Sequence, residues 1–122
     1  MATFTTTVNA FENLPPSQVG DGAATINYNE LKVYTRAELT TLLTPAYLDP
    51  EGDPAGLLKV TVLPSAGKLK LNGVDVVANQ IIDFADIDAG LFTYTPDSGT
   101  LTAYDDPFEF QIADTGSGIF VG

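Results

Sequence analysis

The sequence predicts an all-β fold, a two-sheet antiparallel sandwich with one short helix. Three observations predict it. Apolar and polar residues alternate with period two at 58–62, 68–71 and 108–113, the pattern of strands that turn one face to a core. Asn72-Gly73 stands between two such runs, and a two-residue primed turn needs positive φ at both positions, which Asn-Gly tolerates best. Turn residues recur about every ten positions, so the chain reads as about seven to nine short strands.

Along the chain, residues 3–8 alternate around Phe4, Thr6 and Val8, which makes residues 1–12 either a first strand or an extended arm ahead of a sandwich domain at 13–122. Asn13-Leu14-Pro15-Pro16 ends that segment, because Pro15 has no amide hydrogen and Pro16 keeps its predecessor extended. Residues 25–28 and 31–34 read as short strands. Thr35 stands three residues before Glu38, a capping box opening a two-turn helix at 36–43 in which Ala37, Leu39, Leu42 and Leu43 share a face. A loop follows at 47–54.

In the strand at 58–62, Leu58, Val60 and Val62 face the core while Lys59 and Thr61 face water. Pro64-Ser65-Ala66-Gly67 turns the chain into 68–71, with Leu69 and Leu71 inward and Lys68 and Lys70 outward. Beyond Asn72-Gly73 the pattern predicts a strand at 74–77 and another at 80–84. A tight turn or single helical turn at 85–90 leads into a strand at 91–95 carrying Phe92 and Tyr94. Residues 96–106 form a loop or irregular edge. Phe108, Phe110 and Ile112 then alternate with Glu109, Gln111 and Ala113, the pattern of a central core strand. The predicted core is Val60, Val62, Leu69, Leu71, Phe92, Tyr94, Phe108, Phe110 and Ile112.

At 122 residues the chain has room for one domain and one core. It contains no His, Cys or Trp. That removes Ser/Cys–His nucleophiles, imidazole and thiolate metal sites and any disulfide framework, and leaves carboxylates as the acid/base groups and metal ligands. Sixteen acidic against five basic residues give a net charge of −11, which excludes the basic footprint that nucleic acid requires. No segment reaches the roughly 20 apolar residues of a bilayer-spanning helix, and the first residues lack a signal-peptide pattern. The expectation is a protein assembled inside a cell, with no membrane partner.

Asp49, Glu51 and Asp53 alternate around a glycine bend at Gly52. Calcium takes six to eight hard oxygens, and such a loop offers three carboxylates plus backbone carbonyls. The same residues are also ordinary turn formers, and the order of a helix–loop–helix calcium site is not met. Asp86 and Asp88 repeat the spacing, and Asp105-Asp106 and Asp114 flank the aromatic strand. A glycoside hydrolase would need two such acids across a sugar-sized cleft, for which Phe92, Tyr94 and Tyr104 make a poor platform. Tyr28, Tyr34, Tyr47 and Tyr104 read either as interface anchors or as core residues at a sheet rim.

Five segments occur in an order that resembles a known family: Asn13-Leu14-Pro15-Pro16; Asp49-Pro50-Glu51-Gly52-Asp53; Leu58-Lys59-Val60-Thr61-Val62 with Pro64-Ser65-Ala66-Gly67-Lys68-Leu69; Leu91-Phe92-Thr93-Tyr94-Thr95-Pro96; and Phe108-Glu109-Phe110-Gln111-Ile112-Ala113-Asp114. Together they are similar to the cadherin-like tandem repeats of large bacterial surface proteins, immunoglobulin-like antiparallel sandwiches strung in arrays. Similar single modules look like those of tailed-phage particles. The resemblance implies an immunoglobulin-like sandwich and a calcium site at Asp49, Glu51, Asp53 and Asp114, with no other cofactor. It leads us to expect a non-enzymatic virion structural protein, a capsid decoration or auxiliary protein bound to a capsid or tail protein or to copies of itself. The alternative it implies is a calcium-assisted adhesion or spacer module at a bacterial cell surface.

Overall fold

A computed structural model of the chain describes residues 2–8, 13–97, 99 and 102–122. Among the described residues seven strands form two antiparallel sheets: β1 (Lys32–Val33), β2 (Ala55–Val62), β3 (Lys68–Leu71), β4 (Val74–Asp75), β5 (Gln80–Asp83), β6 (Phe92–Thr95) and β7 (Glu109–Asp114). One sheet has the order β1-β6-β3-β4 and the other β5-β2-β7. A five-residue helix, α1 (Phe84–Asp88), follows β5, its entry capped by the Asp83 carboxylate, which accepts the Ala85 N–H at 2.9 Å. The chain is thus an all-β sandwich with one short helix.

The core joins the two sheets. Leu58, Val60, Ile82 and Ile112 come from one, Leu69, Phe92 and Tyr94 from the other, and Phe84 and Ile87 from α1. Phe92 is fully buried and meets Tyr34 at 5.2 Å between ring centroids and Phe108 edge-on at 6.3 Å. Asn72 and Gly73 take φ of 50° and 79° between β3 and β4, the primed turn that the Asn-Gly pair predicts.

Several sequence expectations give way to tertiary structure. Residues 2–8 form no strand, and they are exposed; residues 9–12 of the same segment lie outside the described residues, as do 98, 100 and 101 of the 96–106 loop. Residues 25–28 form no ladder; at Asn27 the backbone bonds locally instead, the Glu30 N–H donating to the Asn27 carbonyl at 3.1 Å and the Asn27 N–H to Glu30 Oε1 at 3.2 Å. The strand expected at 31–34 shrinks to two residues.

The Thr35–Glu38 capping box forms in both directions, yet no α-helix follows it. Leu39, Thr40 and Leu43 donate to carbonyls three residues back, and the Thr40 and Thr41 hydroxyls donate to the carbonyls of Arg36 and Ala37. Threonine hydroxyls that bond back to the preceding turn compete with the helical ladder. Only Leu39 and Leu43 of the predicted apolar face are buried; Leu42 is exposed.

Val62 is 48 % exposed instead of inward, because the β2–β7 register shifts between Val60 and Val62 and leaves Val62 opposite Glu109. The aromatic strand, expected in the sheet centre, is an edge: β2 lies between β5 and β7, and one bridge from Ile112 to Val121 covers the outer side of β7. Phe108 and Phe110 are accordingly half-buried.

Candidate metal centre

The β2–β7 ladder assembles the acidic cluster. Ala55 pairs with Asp114, so the loop that feeds β2 and the residue that closes β7 are brought side by side. The Thr115 N–H donates to the Pro54 carbonyl at 3.1 Å, and the Tyr47 hydroxyl donates to the Asp53 carbonyl at 2.9 Å, which hold the loop against the strand end.

Within that frame one carboxylate oxygen each from Asp49, Glu51, Asp53 and Asp114 lies within 4.8 Å of all the others. Asp49, Glu51 and Asp53, which their spacing singled out, and Asp114, which the resemblance added, converge. Each of the two buried aspartates has one oxygen tied to its own neighbourhood. Asp49 Oδ2 accepts the N–H groups of Glu51 and Asp53, both at 3.0 Å, and Asp114 Oδ1 accepts the Ser117 N–H at 2.7 Å and its hydroxyl at 2.6 Å. Glu51 Oε1 accepts the Leu14 N–H at 2.6 Å.

The remaining oxygens carry the chemistry. Asp49 Oδ1, Glu51 Oε2 and Asp114 Oδ2 are buried and have no hydrogen-bond partner. Asp49 is 6 % exposed and Asp114 2 %. Buried anionic oxygens without partners are strongly disfavoured, and a cation is the partner that satisfies several at once. The donors are all hard oxygens, which suits calcium or magnesium. Oxygens on opposite sides of one ion stand about 4.6–5.2 Å apart around calcium and about 4.0–4.2 Å around magnesium. Four oxygens within 4.8 Å of one another are close enough to share one such ion.

The carboxylates also perturb one another. Burial first, and the facing Asp114 carboxylate second, push the Asp49 pKa up from the ordinary aspartate value. Burial acts on Asp114 in the same sense but is outweighed by the Ser117 hydroxyl, Asp49 and the Ser117 and Gly118 amides, which hold it down. The Tyr47 phenol is pushed up by burial and then by the charges of Asp49, Asp114 and Asp53. Two facing carboxylates that resist joint ionisation are what a divalent cation relieves.

Sequence reasoning missed three contributors. The Asn13 side-chain oxygen reaches this rim, Ser117 orients Asp114, and Gly116 supplies space: a Cβ there would lie 2.5 Å from Asp53 Oδ2 and 2.6 Å from Asn13 Oδ1. Asn13 is visible in the sequence only as turn punctuation before two prolines.

The other acidic groups do different work. Asp88 is paired with Arg36 at 2.8 Å, and Asp106 clamps the 65–67 turn. Among the described residues no second group of acids gathers as the four do. No protein-family model, curated protein or solved structure matches the chain.

Proposed function

We propose that this chain is a non-enzymatic structural module of the adhesion or spacer type, with calcium pinning one end of its sandwich. The observation that carries the reading is the set of three buried, unpartnered carboxylate oxygens at Asp49, Glu51 and Asp114. A cation there would tie together the loop entering β2, the end of β7 and, through Glu51 and Asn13, the segment that leads to the amino terminus. The absence of His and Cys from the sequence supports the non-enzymatic part.

Melting in millimolar calcium against chelator tests it. A ligand that binds only the native state adds RT ln(1 + [L]/Kd), about 2.7 kcal/mol at a hundredfold excess over Kd. The midpoint is expected to rise with calcium and much less with magnesium; coincident curves in calcium and chelator would remove the cation from the account. Gly116→Ala is expected to shrink that calcium response, because the added methyl displaces the Asp53 and Asn13 oxygens. Its melting in chelator serves as the control for folding.

A second reading, the virion decoration or auxiliary protein, is favoured by residues 2–8. Phe4 is 93 % exposed and Val8 87 %, in a segment of high β propensity that makes no ladder. Such an arm can add a strand to the sheet edge of a capsid or tail protein. Deleting residues 2–8 is expected to leave the melting midpoint unchanged, since these side chains bury nothing, while abolishing assembly onto the particle. A truncated chain that still assembles would sink this reading.

A further inference from the structure

We propose that the groove beside β1 and β6 binds a neutral oligosaccharide, with Tyr28 and Tyr104 as its stacking rings. The groove encloses about 630 Å³ and is walled by residues 24–28, by Lys32 and Tyr34, by Tyr94 and Pro96, and by 102–106. That volume lies in the range of small-ligand sites. Four phenols from separate parts of the chain meet there, which no spacing in the sequence reveals.

Their exposures divide the labour. Tyr94 is nearly buried, its hydroxyl donating to Asp106 Oδ2 at 2.6 Å, whereas Tyr28 and Tyr104 are 53 % and 37 % exposed. The Tyr104 hydroxyl accepts the Asp97 N–H at 3.1 Å, which holds its ring at the groove wall. Among the described residues no ring packs on Tyr28, and its hydroxyl makes no hydrogen bond. Beside these rings stand polar groups with open valences: the Asp105 carboxylate, the Asn27 side-chain amide and the Tyr34 hydroxyl have no hydrogen-bond partner among the described residues.

A pyranose presents an apolar C–H face and a rim of hydroxyls that both donate and accept. The half-exposed Tyr28 and Tyr104 rings in the groove wall suit the first. A carboxylate that accepts, an amide that does both and a phenol that donates meet the second. Charge selects the class further. Lys32 in the wall is already held by Glu38 at 2.5 Å, and Asp105, Asp106 and the net charge of −11 repel uronates and sulfates. A basic peptide is the weaker fit, because Asp106 is occupied by the 65–67 amides and Tyr94, so Asp105 alone would supply one solvent-exposed ion pair.

The groove shares no residue with the acidic cluster. It names what an adhesion module would hold, and its test separates from that of the cation. The full ¹⁵N-labelled chain is titrated with cellohexaose, maltohexaose and chitohexaose, and in parallel with a galacturonic acid hexamer and a basic proline-rich peptide, in calcium and in chelator. At least one neutral hexasaccharide is expected to shift the Asn27, Tyr28 and Tyr104 amides. Tyr28→Ala with Tyr104→Ala is expected to raise its Kd about tenfold or more. Tyr28→Ala alone, at a ring that is half exposed and pairs with no other ring, is expected to weaken binding with little change in the melting midpoint. No shift with any neutral sugar, or shifts only with the hexuronate or the peptide, would overturn the proposal. Sugar binding alongside a melt indifferent to calcium would overturn the cation reading and leave this one standing.

Discussion

Phe92→Ala is expected to lower the unfolding free energy by about 3–5 kcal/mol, from lost transfer energy and an unfilled cavity. The ring is fully buried and sits against both Tyr34 and Phe108, so it joins the two sheets through the aromatic cluster. Domains of this size are stable by about 5–15 kcal/mol, so the loss takes a large share of the total. Urea denaturation should show the midpoint falling with little change in slope. Phe110 provides the comparison. Half-buried on an edge strand, it should cost clearly less when truncated, and a Phe110→Ala loss equal to that of Phe92 would mean that β7 is more deeply covered than its edge position indicates.

The second large effect is expected at Asp106. Its carboxylate accepts the N–H groups of Ser65 at 2.9 Å, Ala66 at 3.2 Å and Gly67 at 2.7 Å, and the Tyr94 hydroxyl at 2.6 Å. One side chain therefore ties the turn between β2 and β3 to β6. Burial pushes its pKa up, but the Tyr94 hydroxyl and then the amides of Gly67, Ala66 and Ser65 outweigh it and hold it below the ordinary aspartate value. Asp106→Asn is expected to lose about 2–3 kcal/mol near neutral pH, the scale of one or two hydrogen bonds to a charged group, since part of the site is open to water.

The sign of the pH dependence follows. A carboxylate whose pKa is depressed in the folded state contributes its stability above the unfolded value, about 3.9, and loses it as pH falls through the folded value. Asp88, held down by Arg36, acts in the same direction. Asp49, whose pKa is raised, acts in the opposite one in chelator: its contribution declines as pH rises through its window. The gap between the wild-type protein and Asp106→Asn should thus narrow as pH falls from about 4, where the unfolded chain takes up the proton, through the lower folded value of Asp106, below which the wild-type side chain is neutral as well. A gap that stays constant down to the acid transition would show that the clamp works by shape and not by charge.

Legibility in the sequence tracked how local each signal is. The Asn72-Gly73 turn, the β2 and β3 alternation and the Thr35–Glu38 capping box all formed, because each depends on residues within one turn or one strand. What followed the capping box was not legible, since Thr40 and Thr41 back-bonding competes with helix continuation only once the local backbone is set. The acidic loop at Asp49, Glu51 and Asp53 was readable from spacing. Asp114 joined it only through the resemblance, and Asn13, Gly116 and Ser117 were silent.

By itself the sequence determined the all-β class, the inward faces of Leu58, Val60 and Leu69 and the exclusion of imidazole and thiolate chemistry, because these rest on composition and on alternation within single strands. The tertiary structure alone decided which strand is an edge, that Val62 turns outward, that Asp114 meets Asp49 and that four tyrosines share one groove. The physical reason is the same throughout. Sheet order and register bring together residues dozens of positions apart, and a single register shift, like that between Val60 and Val62, sends a side chain from core to solvent without any change in its neighbours along the chain.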